Sequence, residues 1–96
     1  MKIVFQGWDV SGGATIRSSR REAHRMHIRN TNKNCRCILG GPLLSLNGDM
    51  VGTMLVFDAV DTAAVGVFMK NDPYSLAGLF DQVEIREWRI GLGDIR

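Results

Sequence analysis

His24 and His27 are the only side chains in this 96-residue sequence that ordinarily titrate between pH 5 and 8. A neutral imidazole takes up or releases a proton in that range, so either can act as a general acid or base. His24 follows Arg21 by three residues, about one helical turn, where a guanidinium can hold an anionic or phenolate oxygen. His27 has no such neighbour and is expected to be exposed. Cys35-x-Cys37 puts two thiols on one face of a strand. No further His, Cys or carboxylate stands near them in a ligand pattern, so they are expected to be two small buried strand residues, with no metal. Gly12-Gly13 and Gly40-Gly41 lack the Lys and Ser or Thr that complete a phosphate loop. No Ser or Cys is tied by motif to His24, which leaves a nucleophilic triad unsupported. No cofactor is expected.

Elements must position these groups, and the chain is long enough for one domain, residues 1–96. Hydrophobic residues make up 45% and charged residues 23%, which excludes the disordered class. No apolar stretch reaches the roughly 20 residues of a membrane span, and the run after Met1-Lys2 stops before Gln6, too short for a signal-peptide core. A cytoplasmic protein with reduced thiols is therefore expected, with no membrane partner and no disulfide. Residues 1–48 carry eight Lys or Arg against Asp9 and Glu22, whereas residues 49–96 carry four against eight acids. The basic excess lies mainly in Arg17, Arg20, Arg21, Arg25 and Arg29. That segment has no interleaved aromatics and the pI is only 8.8, so a solvated helix is favoured over a nucleic-acid interface.

Met1 to Trp8 has the β-branched and aromatic residues of a strand, broken at Ser11-Gly12-Gly13. A helix is expected from about Ala14 to Asn30, ended by the polar tract Asn30 to Asn34. Ile16, Ala23 and Met26 give it a weak apolar stripe beside the row Arg17, Arg21, His24 and Ile28. Cys35 to Leu44 and Met50 to Asp58 read as an antiparallel hairpin turning at Asn47-Gly48, the dipeptide suited to a type I′ turn. Met54-Leu55-Val56-Phe57 is apolar on both faces, so the sheet face without helices needs cover, and another copy of the chain is the expected source. Asp61 or Thr62 caps a second helix that ends at Asn71-Asp72-Pro73, and Pro73 turns Asp72 out of helical geometry. Asp72 followed by proline also suits the N-cap of a short helix at Tyr74 to Leu79. A last strand is expected from Phe80 to Ile90. The order βαββαβ specifies an α+β, ferredoxin-like fold: a four-stranded antiparallel sheet with both helices on one face.

Arg17-x-x-x-Arg21-x-x-His24, Gly40-Gly41-Pro42-Leu43, Asn71-Asp72-Pro73-Tyr74, Ala77-Gly78-Leu79-Phe80 and Glu84-Ile85-Arg86-x-Trp88, in this order, resemble the YciI-like (YCII-related) family over nearly the whole chain. The resemblance implies a ferredoxin-like fold assembled as a dimeric α/β barrel. It also implies a His and Asp pair as active site, here His24 and Asp72, and one branch of the family eliminates chloride from a chlorinated hydroxyhydroquinone. Arg21, Arg17 and Tyr74 are the expected lining residues. Glu87 stands where the family commonly has proline, and Glu22 precedes Ala23-His24 where proline is frequent.

Two classes of function follow. One is a small enzyme that uses the His24–Asp72 pair for elimination or isomerisation of a small phenolic or anionic substrate, held in a pocket between helices and sheet. The alternative is a noncatalytic ligand-binding or assembly module of the same fold. RNA binding on the sheet is disfavoured because the third strand lacks the exposed aromatics of an RNA-recognition motif. A homodimer and a small-molecule ligand are the expected partners.

Overall fold

Alternating burial fixes the sheet. In β1 (Lys2–Asp9) Ile3, Phe5 and Gly7 are buried, while Val4 and Gln6 between them are half-buried and face the other way. The computed structural model describes residues 1–30 and 32–94, so the expected helix-ending tract 30–34 lies partly outside the described residues. After β1 come α1 (Ala14–Ile28), β2 (Cys35–Leu44), β3 (Met50–Ala59), α2 (Thr62–Lys70), α3 (Pro73–Leu76) and β4 (Phe80–Glu87). The strands lie in the order β2-β3-β1-β4, every neighbouring pair antiparallel, which is the expected α+β, ferredoxin-like arrangement.

The register pairs Ile3 with Phe57 and Phe5 with Leu55, so these residues share the helix-covered face. There they join Val65, Phe68 and Met69 of α2 in the core, with Phe57 and Phe68 edge to face at 5.6 Å. Val4, Val56, Met54 and Trp8 point to the opposite face. Lys2 bonds Asp58 across that face at 2.6 Å. This bond, then Arg36, holds the Asp58 carboxyl below its ordinary range. The stabilisation is present above the ordinary carboxylate range and fades as pH falls through the lowered value.

Three expectations change. The hairpin turn is not type I′, because among the described residues none other than glycine has positive φ. Instead the Gly48 N–H bonds the Ser45 carbonyl at 2.9 Å and Gly48 alone takes φ +86°, a type I turn closed by a left-handed glycine. On α1, Ala23 and Met26 are exposed and the buried residues are Arg17 and His24, so the helix turns its polar row inward. β4 ends at Glu87, although the Trp88 N–H still reaches the Lys2 carbonyl at 2.9 Å.

Gly7 is required by close approach. A Cβ there would lie 2.7 Å from Cδ1 of Phe80. That ring packs edge-on to Phe5 at 5.4 Å and to Tyr74 at 6.1 Å, so it has little room to retreat. Gly7→Ala is expected to cost about 1–3 kcal/mol by overpacking, read as a lower denaturation midpoint with an unchanged denaturant slope.

Candidate functional site

α1 packs mainly on α3. Between α1 and the β2–β3 half of the sheet lies a cavity of about 270 Å³, walled by Arg17, Arg21, His24, Arg25, Ile28 and Arg29, by Tyr74, and by Gly40 to Pro42, Met50, Thr53 and Leu55.

Pro73 places Asp72 in extended geometry, φ −67° and ψ 134°, at the N-cap of α3. Its Oδ2 accepts the Tyr74 N–H at 3.1 Å, the expected capping bond. Its Oδ1 lies 2.7 Å from His24 Nδ1. Asp72 is 0% and His24 6% exposed, so the pair is shielded from water. An ionised carboxylate only accepts, so Nδ1 carries the proton and the lone pair of the neutral ring is on Nε2. Among the described residues Nε2 has no hydrogen-bond partner, yet no buried side-chain nitrogen or oxygen lacks one. Nε2 is therefore open to the cavity that His24 lines. Tyr74 stacks on the imidazole, with ring centres 4.0 Å apart and planes 13° from parallel, and fixes its plane.

Arg17 also lines the cavity, but its hydrogen bonds turn inward. Nε and Nη2 donate to the two Asp9 oxygens at 2.9 and 2.8 Å, and Nη2 donates to Thr53 Oγ1 at 2.9 Å. Its Cζ lies 5.0 Å from the centre of the Tyr74 ring. Burial alone would lower the pKa of this guanidinium; Asp9, aided by Tyr74, outweighs burial and holds it above its ordinary value. Arg17 thus supports Tyr74, which supports His24. Arg21 is half-buried, and among the described residues its Nη2 meets only the Met50 sulfur, at 3.7 Å.

Sequence reasoning did not single out Asp9 and Thr53. Asp9 carried a signal: it is one of two acids in the first 48 residues and stands at the end of β1, just before the glycine turn that leads into α1. His27 is not exposed as expected. Its Nε2 donates to the Phe68 carbonyl at 2.8 Å and its ring stacks on Phe68 at 4.3 Å, which ties α1 to the end of α2. Burial, then the neighbouring Cys37, pushes the Cys35 thiol up to about 11, and burial raises Cys37 as well. Neither is a ready nucleophile at neutral pH. Among the described residues no group of three or more His, Cys, Asp or Glu is placed to hold a metal ion, and no helix is long and apolar enough to cross a membrane.

The family model that matches the chain is that of the YCII-related domain, over residues 1–89. The chain belongs to the YCII-related family. Among solved structures, this YCII-related chain is similar to 5-chloro-2-hydroxyhydroquinone dehydrochlorinase from Burkholderia phenoliruptrix AC1100, in complex with 2,5-dihydroxybenzoquinone. The two share 27% identity over 95% of this chain and 96% of that one, with a TM-score of 0.84. None of the curated proteins matches the chain.

Proposed function

We propose that this YCII-related protein is a small acid–base enzyme that eliminates a leaving group from a phenolic or otherwise anionic small molecule. The observation that carries the reading is the buried 2.7 Å bond between His24 Nδ1 and Asp72 Oδ1 beneath a cavity of substrate size. In the keto tautomer of a halogenated hydroquinone the halogen-bearing carbon is tetrahedral; Nε2 takes the proton of the remaining ring hydroxyl, and that O–H pair becomes the second C=O bond. The ring π pair shifts into the bond that ends at the halogen-bearing carbon and the halide leaves with its own pair, so the net loss is H–X and the product is a quinone. Asp72 holds the tautomer and offsets the positive charge that forms on the ring. Arg21 lines the same cavity and has no acidic partner among the described residues, so it is the cation assigned to a phenolate oxygen. The similarity to a dehydrochlorinase of a hydroxyhydroquinone supports this choice of reaction. Incubation with 5-chloro-2-hydroxyhydroquinone and its bromo analogue, followed by halide release, tests it. Binding without release would leave the noncatalytic binding module.

The working unit in this proposal is a homodimer. Trp8 and Leu39 are exposed on the helix-free sheet face, where Val4, Met54 and Trp88 line a second hollow of about 330 Å³. A second copy covers such a face by self-complementarity. Sedimentation equilibrium should return twice the chain mass at low micromolar concentration; a stable folded monomer would contradict it. The free thiols Cys35 and Cys37 suit a reducing, cytoplasmic setting.

A further inference from the structure

We infer that Arg25 and Arg29 form a second anion subsite in the cavity, so that the ligand carries a carboxylate or comparable anion beyond the ring held at His24. This rests on the acid–base reading of His24 and adds a substrate class to it. Arg17, Arg21 and Arg25 of α1 and Arg29 at its C-cap recur every four residues, and all line one cavity that no described Asp or Glu lines. Like charges at that spacing repel. Arg17 is neutralised by the buried Asp9, whereas among the described residues Arg25 has only an exposed acidic partner and Arg21 and Arg29 have none. Among the described residues Arg21 meets only the Met50 sulfur. Arg25 touches Glu22 at 3.3 Å, a solvent-exposed pair along the helix that an incoming anion can displace. Arg29 makes no side-chain hydrogen bond or ion pair with any described residue.

The C-terminal end of a helix favours cations, which explains why Arg25 and Arg29 are tolerated there. It does not explain why they converge on the same cavity as His24. Opposite them, Gly40 and Gly41 bring bare β2 backbone into the cavity wall, and a Cβ on Gly40 would collide with Leu55 Cδ2, so Leu55 supplies the apolar surface on that side. From His24 to Arg29 is five residues, about 7.5 Å along the axis, so a short substituent on the ring spans the distance.

Calorimetric titration with hydroquinone, 2,5-dihydroxyphenylacetate and glutarate decides the matter. The phenylacetate should bind at least about tenfold more tightly than hydroquinone, and the advantage should shrink with added salt. The Arg25→Gln/Arg29→Gln variant should abolish that advantage without changing hydroquinone affinity. Equal affinity for the two ring compounds, or an advantage that survives the double substitution, overturns the subsite and leaves the acid–base reading standing. Glutarate binding that depends on Arg25 and Arg29, with neither ring compound bound, keeps the subsite and overturns the aromatic reading. No binding of any of the three overturns the subsite.

Discussion

His24→Asn is expected to cut turnover by about 10²- to 10⁴-fold, the usual contribution of a positioned general base, while the protein stays folded. Asparagine is chosen because its side-chain amide can place an N–H near the position of Nδ1 and continue to donate to Asp72 Oδ1, now bonded at 2.7 Å. The buried carboxylate then keeps a donor, and the proton-accepting Nε2 is gone. His24→Ala is a poorer test. It would leave Asp72, which is 0% exposed, short of a partner and cost about 1–3 kcal/mol of stability in addition to the chemistry. Unfolding transitions of wild type and His24→Asn should lie within a few degrees. Full halide release by the variant would remove His24 from the mechanism.

Asp72→Asn offers an independent readout of the same arrangement. An asparagine can meet Nδ1 through its amide N–H as well as through its carbonyl, so the tautomer is no longer imposed. Nitrogen NMR of the His24 ring should report a single tautomer, protonated at Nδ1, in the neutral wild-type ring and a mixture in the variant. A merely structural carboxylate would not move that signal in step with turnover.

The order of elements, the sheet and the two caps were legible because they depend on local chemistry. Alternation in β1, the Asn47-Gly48 break and the Asp72-Pro73 step each act within a few residues. The type I′ expectation fails for a local reason: Asn47 also accepts an ordinary right-handed conformation, and only Gly48 needs the left-handed one. Which face of α1 is buried was not legible. Periodicity places apolar residues inward, and Ala23 and Met26 satisfied it poorly. The inward choice is made by polar partners far along the chain: Asp72 is 48 residues from His24, and Thr53 is 36 from Arg17. The inward position of His27 is illegible for the same reason, since its acceptor is 41 residues away. Side-chain bonds at such separations leave no periodic trace.

Arg17→Met should destabilise the protein by about 3–5 kcal/mol, because it strands a buried carboxylate. The Arg17 and Asp9 side chains are only 6% and 7% exposed, and the two hydrogen bonds between them are the bidentate kind. Against the roughly 5–15 kcal/mol that separates folded from unfolded states in a domain, such a loss approaches complete unfolding. The midpoint of thermal denaturation should fall by more than about 10 °C. The pair itself is a weaker contributor than this number suggests, since removing both charges from water costs much of what their attraction returns. Asp9→Leu combined with Arg17→Met should therefore recover most of the lost stability. Turnover should not recover with it, because the cation that lies 5.0 Å from the Tyr74 ring is still missing and Tyr74 is the surface on which His24 stacks. Recovery of both stability and turnover in the double variant would show that Arg17 serves the fold alone; recovery of neither would show that Asp9 has a second task beyond pairing with Arg17.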